Sequence, residues 1–456
     1  MNRPHQAIPS FADTRIDRGD SSCSFSRTRL LVLAAWAGRS SSSTKDEYEN
    51  EDDEADINHA VTESGHSNLN FNNRAPKGSA WEAGVKRASC WGAVKRCVFV
   101  TMIVLLGYGT TDAADRIVLR DLTIINDAKV TAMSLDGVKL EDGKLIGWDE
   151  IEAGRLDGNR QTLFDKYLKN VGVHLFRIRQ RMANGDYRSL SPSAEAIAKY
   201  YRGRDSETAY LVMQAQMWGR IAGGQRAAAV EPYLYCFEYL RKHATEAVPL
   251  PGDRRLKFDP ATGLCEELPP IWFDGEAAKD ALPAVAAAIA KLQEPRPGAA
   301  RIYYASLAIA AGDDDAATRA LAGIGNDNRR LAELKTILEA QREITSGSPA
   351  DQTTALEKMR DELDAGNRPL AMYWLGVAKV GGEDPSTQRE GVLDLLHLPA
   401  VHGEQSPELA AAGLYQAMQV LEELGDLRGS IALRSELLSK YGQTYHAAKL
   451  SSDAAN

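Results

Sequence analysis

Along residues 116–151, RIVLRDLTIINDAKVTAMSLDGVKLEDGKLIGWDEI, short β-branched runs are cut by Asn126–Asp127, Asp136–Gly137 and Asp142–Gly143. A period of two puts alternate side chains on one face of a strand. Asp-Gly between such runs marks a hairpin, because glycine takes positive φ without steric cost. The pattern predicts strands over 116–120, 122–126, 129–135, 137–141 and 144–148, with Trp148 closing one end of a miniature core. So small a module buries little surface alone, so it is expected to pack against the residues that follow. Its acidic turns could coordinate a cation, but hairpin geometry accounts for them and no metal is expected.

From about residue 160 the period changes to three or four. In LFDKYLKNVGVHLFRIRQRMA (163–183), Leu175, Ile178 and Met182 share one stripe, with Arg177, Arg179 and Arg181 on the others, the spacing of an amphipathic helix. A turn at 184–187 and a helix over 192–202 follow, then helices over 208–222 and 227–243 joined by Gly223–Gly224. The same helix, glycine turn, helix order returns at 302–324 (Gly312), 371–398 (Gly381–Gly382) and 407–442 (Gly425–Asp426). The last unit sets Ala412, Tyr415 and Leu421 before its turn and Ala432, Leu437 and Tyr441 after it. A helix pair cannot bury its apolar face alone, so such pairs are expected to stack into an α-solenoid. PLPGDRRLKFDPATGLCEELPPIWFDGEAAKDALP (249–283) breaks the rhythm with six prolines. Its Phe258, Ile271, Trp272 and Phe273 either recognise a partner or dock the segment on its own helices, and docking is the default because large exposed apolar patches are uncommon. ALPAVAAAIAKL (281–292) then reads as an alanine-rich core helix.

The first ninety residues change the picture. They are rich in Ser, Asn, Asp and Glu, with a charge run at 45–56, a composition expected to stay disordered. Behind Lys95–Arg96 runs CVFVTMIVLLG, eleven residues without a charge. That is short for a membrane span but fits a secretory apolar core, with Thr111 and Ala113 at −3 and −1 if cleavage falls before Ala114. Three readings account for its position. The extension is cytoplasmic and 97–109 is an uncleaved anchor, or a long leader is tolerated during export, or translation starts late, at Val94 or Val85; we favour the late start. The expected organisation is thus 1–93 disordered extension, 94–113 signal peptide or short anchor, 114–155 β module, 160–248 helical repeats, 249–283 proline-rich insertion and 284–450 helical repeats.

The net charge of −9, and of −8 once residues 1–113 are set aside, argues against a nucleic-acid partner, which demands a basic footprint. Cys236 and Cys265 are the only cysteines beyond the apolar segment. They are free buried thiols, or a disulfide if the protein is exported. His174, His243, His397, His402 and His446 form no HExxH, Pro399 separates the pair at 397 and 402, and no nucleophile elbow or phosphate loop occurs. The run GDDDAA (312–317) reads as a helix start, where carboxylates suit the positive dipole end. Neither catalysis nor a cofactor is expected. Arg177, Arg179, Arg181 and Arg220 could line a groove for an anionic ligand, and Trp272, Phe273, Arg177, Arg181 and Arg220 are the candidate partner-binding residues.

The small-residue positions, the Leu-Gly-Asp turn and the closing Tyr441 of 407–442 resemble the tetratricopeptide helical repeats in degenerate form. Turn glycines recur at intervals of 39, 88, 70 and 43 residues, so the full repeat consensus is not kept. The order of apolar segment, DG-rich β module, FRIRQRM, MWGR, FDPATGLCEELPPIWFD and repeat-like helices further resembles secreted proteins of planctomycete-type bacteria. That likeness implies export, periplasmic or in the cell envelope, and carries no activity with it. The expected function is an exported scaffold whose concave face binds a protein or peptide, touching membrane only through 97–109 if that segment is uncleaved. The alternatives are a structural envelope component without a discrete ligand, or an enzyme on an α/α scaffold.

Overall fold

The computed structural model describes residues 115–244, 250–347 and 349–453. The expected disordered extension, the apolar segment at 94–113, and Cys23, Cys90 and Cys97 lie outside the described residues. A small antiparallel β module comes first and a mainly helical body follows.

The module has six strands: β1 Arg116–Leu119, β2 Ile124–Ile125, β3 Val130–Ser134, β4 Gly137–Leu140, β5 Leu145–Ile146 and β6 Ile151–Arg155. They form two three-stranded sheets, ordered β2-β1-β6 and β3-β4-β5. Five strands fall on the predicted runs. The sixth has no alternation to betray it, and it pairs along β1 with Ile117 opposite Gly154. Gly137, at φ +152, allows the β3–β4 turn, and a Cβ there would meet the Ile146 carbonyl oxygen at 2.2 Å. Ile117, Val138, Ile146, Trp148 and Ile151 are fully buried. Asp115, itself buried, accepts from the Asp157 amide at 2.9 Å and pairs with Arg160 at 3.0 Å, tying the two ends of the module together.

The module leans on the helices as its size requires. The Trp148 ring stacks on Tyr167 at 5.2 Å and meets the edge of Phe164 at 5.4 Å. The stretch read as one helix from 163 to 183 is α1 Arg160–Tyr167, a π-helical turn Leu168–Gly172, and α2 Val173–Ala183. A Cβ at Gly172 would lie 3.0 Å from the Trp148 carbonyl oxygen. The extra residue of the π turn therefore sits where the β module presses on the helix, and beyond it Leu175, Ile178 and Met182 are buried as expected. The β3–β4 turn is clamped as well: Ser206 Oγ donates to Asp136 at 2.6 Å and Tyr201 Oη to the Leu135 carbonyl at 2.6 Å.

The remaining helices are α3 Ser191–Tyr201, α4 Glu207–Ala222, α5 Arg226–Lys242, α6 Gly275–Lys291, α7 Gly298–Ala310, α8 Asp314–Ala322, α9 Arg329–Ser346, α10 Pro349–Arg360, α11 Arg368–Val380, α12 Pro385–Val401, α13 Pro407–Glu423, α14 Leu427–Lys440 and α15 Tyr445–Asp453. Most neighbours in sequence pack on each other, α8 and α9 excepted, and α7, α9, α11, α13 and α15 also pack in succession. The pair α9–α10, not anticipated above, turns at Gly347, in the left-handed region at φ +103. It splits the 70-residue interval between Gly312 and Gly382 into two of 35 residues. The other long interval holds α6 and the proline-rich segment. Helix α6 begins at Gly275, capped by Asp274, and runs through Pro283. That proline faces water, which can hydrate the carbonyl it leaves unpaired.

Candidate functional site

Residues 250–274 are not a loop on the surface but a strand of chain threaded across the helices. Tyr233 Oη donates to the Gly263 carbonyl, and the Cys265 amide donates to Tyr303 Oη at 2.9 Å. The Ala299 amide donates to the Thr262 carbonyl at 2.9 Å, Arg330 pairs with Asp259 at 3.0 Å, and Trp218 Nε1 donates to Glu267 at 3.1 Å. The segment thereby touches α4, α5, α7 and α9. Leu264, Leu268 and Ile271 are buried. Of the two aromatic candidates, Trp272 is core: only 7% of it is exposed and its indole donates to Ser306 Oγ at 2.9 Å. Phe273 is half-buried against Tyr373 at 5.8 Å and His446 at 4.6 Å. Docking on its own helices, the default reading of the segment, accounts for both rings.

The arginines do not converge on one groove. Arg179 pairs with Asp149, Arg181 donates to the Ser189 carbonyl, and Arg220 pairs with Glu195 at 2.6 Å while donating to the Ala228 carbonyl at 2.7 Å. Arg177 alone of the four faces open solvent. It lines a shallow depression of about 550 Å³ with Arg120, Glu152, Asp165, Lys169 and Phe176, where the β module meets the π turn. There the Arg120 guanidinium lies 4.0 Å over the Phe176 ring and pairs with Glu152. Its lining mixes charged side chains of both signs with Leu168, Val173 and Phe176.

The thiols Cys236 and Cys265 are both free and buried. Burial pushes Cys236 well above the usual thiol range and Cys265 up to about 12. Asp313 caps α8 by accepting from the Ala316 amide at 3.0 Å, with Asp314 and Asp315 in the first turn. Among the described residues no three His, Cys, Asp or Glu side chains are grouped to hold a metal.

His446 is the unusual histidine. It is 5% exposed, and neither ring nitrogen has a hydrogen-bond partner. Phe273, Tyr415 and Tyr445 surround it at 4.6, 4.7 and 5.3 Å. Burial first, then the Lys449 ammonium, pushes its imidazole down to about 4. Glu408 lies in the same region, buried, accepting weakly from the Tyr445 amide at 3.4 Å. Burial raises its carboxyl, against the opposing pull of Arg226.

A feature that the sequence reading missed lies outside. The fold leaves Leu393 and Val401 of α12, and Leu427, Ile431 and Leu438 of α14, exposed to water. Among the described residues no helix is long and apolar enough to cross a membrane. Compared with family models, curated proteins and solved structures, the chain matches none.

Proposed function

We propose that this chain is an exported helical-repeat scaffold that binds a protein or peptide partner in the cell envelope, without chemistry of its own. The carrying observation is the apolar stripe of α14, with Leu393 and Val401 of α12 likewise exposed. Of the eight large apolar side chains exposed among the described residues, five lie on these two helices and three, Leu122, Ile124 and Leu145, on the β module; exposed apolar surface marks interaction sites. The binding surface in this reading is the exposed side of α12 and α14, while residues 250–274 lie across α4, α5, α7 and α9. The tetratricopeptide likeness draws support from the two 35-residue intervals between Gly312, Gly347 and Gly382, close to the roughly 34-residue period of that repeat. For export, the support is the uncharged run behind Lys95–Arg96 and the small residues Thr111 and Ala113 that follow it.

Two measurements test this. Mass spectrometry of the native protein from fractionated cells should find its N-terminus at or near Ala114 in an exported fraction; peptides from residues 2–90 on a membrane-bound form would overturn export. A photo-crosslinker placed at residue 431 in the native host should trap one discrete polypeptide. Its absence, with crosslinks only to solvent or lipid, would overturn the binding role.

A further inference from the structure

Helix α14 is held to α13 by Ser430 and Leu437, with Leu433 half-buried beside them. At about 100° per residue, Leu427, Ile431 and Leu438 fall within about 40° of one another on a different side of the helix. They are 59%, 68% and 39% exposed, so this line faces solvent along the whole helix. Arg434 flanks it on one side and Arg428 on the other, both exposed, and neither makes an ion pair among the described residues. The nearby carboxylates are engaged elsewhere: Asp426 caps the Gly429 amide at 2.9 Å and Glu436 pairs with Lys440 at 2.7 Å.

We propose that this face docks an acidic amphipathic helix of a partner protein, apolar on the side that meets Leu427, Ile431 and Leu438, with carboxylates placed to meet Arg428 and Arg434. The inference rests on the protein-binding reading above and adds the chemistry of the partner. Charge selects the occupant. An antiparallel pairing with a second copy that overlays the two stripes, Leu427 on Leu438, puts Ile431 opposite Arg434 and Arg428 opposite Leu437, so neither arginine meets a carboxylate directly across from it. A bilayer is a poor match too, since three aliphatic side chains without an aromatic anchor give little insertion.

The test uses the full chain and two fluorescently labelled synthetic helical peptides with the same leucine stripe, one flanked by glutamates and the other by lysines. Fluorescence anisotropy at low salt should give the glutamate peptide an advantage of about tenfold, the worth of two exposed charge pairs, shrinking as salt is raised. Arg428→Glu with Arg434→Glu should invert the preference. Ile431→Asp, at an exposed position where circular dichroism should find the fold unchanged, should abolish binding. Equal binding of both peptides that still fails in Ile431→Asp would keep the protein-binding surface and overturn its acidic partner. If neither peptide binds, both readings fail at this face. Dimerisation, or flotation with phosphatidylglycerol vesicles, that is lost in Ile431→Asp would reassign the face to a second copy or to lipid and overturn the proposal.

Discussion

His446 makes stability depend on pH in a way that can be isolated. In the unfolded chain its imidazole titrates near 6.5, and in the folded protein it is pushed down to about 4. Between these values the unfolded state binds the extra proton, so the contribution is complete above pH 6.5 and lost as pH falls toward 4. At about 1.36 kcal/mol per pH unit, the loss approaches 3 kcal/mol, and about 2.5 kcal/mol of it has gone by pH 4.5. Lys449 on its own helix also opposes the imidazolium. Glu408 works the other way: its raised carboxyl takes up a proton sooner in the folded state and returns some stability on acidification. The half-buried His174 and His402 are also lowered, and they add to the acid sensitivity. Comparing the wild type with His446→Phe cancels the other groups. Phenylalanine keeps the stack on Tyr415 and removes both unpartnered nitrogens. Urea unfolding at pH 7 and pH 4.5, followed by tryptophan fluorescence, should give the wild type a loss about 2 to 3 kcal/mol larger than the variant's. Parallel losses in the two proteins would refute the argument.

Other perturbations read other parts of the fold. Lys379, 7% exposed, bridges Glu357 and Asp394 at 2.8 Å each; Lys379→Met should cost about 3 kcal/mol in chemical denaturation by leaving two facing carboxylates, with partial rescue by Asp394→Asn. Gly137→Ala forces a side chain into a positive-φ turn against the Ile146 carbonyl, and should lower stability by about 2 kcal/mol or more; a melting temperature equal to wild type would contradict that geometry. With Cys23, Cys90 and Cys97 replaced by serine, Cys236 and Cys265 should stay silent to a thiol reagent at pH 8 and both react in urea, since burial raises both thiols. No reactive thiol after unfolding without reductant would mean they are bridged.

Much of this architecture is legible in the sequence where local chemistry decides it. Asp136–Gly137 announces its hairpin, and Gly224, Gly312 and Gly425 announce helix pairs, because positive φ leaves little choice of residue. The signal for α9 was also present, with Leu331, Leu334, Ile337, Leu338 and Ile344 on its buried side, although its polar remainder hides it. What composition cannot convey is which side of an apolar helix meets the core. The leucines of helix α14 spread over about 140° of its circumference, more than its buried face takes up. Leu437 and Tyr441 are buried as expected, yet Ala432 of the same unit faces water and Leu427 and Ile431 do too. The π turn at Leu168–Gly172 answers to Trp148, a residue on another element. Likewise the fate of Trp272 is decided by Ser306 and Tyr303 on α7, so its spacing in the proline-rich segment carries no sign of it.

The threaded segment also bears on how the molecule comes apart. In a plain repeat array each unit touches only its neighbours, and such arrays can fray from an end or melt in blocks. Here Leu250–Asp274 ties Trp218 and Tyr233 to Arg330, and through Phe273 to Tyr373 and His446. Opening the last helix exposes the ring of Phe273, and freeing that ring loosens contacts more than a hundred residues earlier in the chain. The helices on either side of the segment thus share one cooperative fate, and a lesion at Phe273 weakens the protein as a whole rather than one of its units.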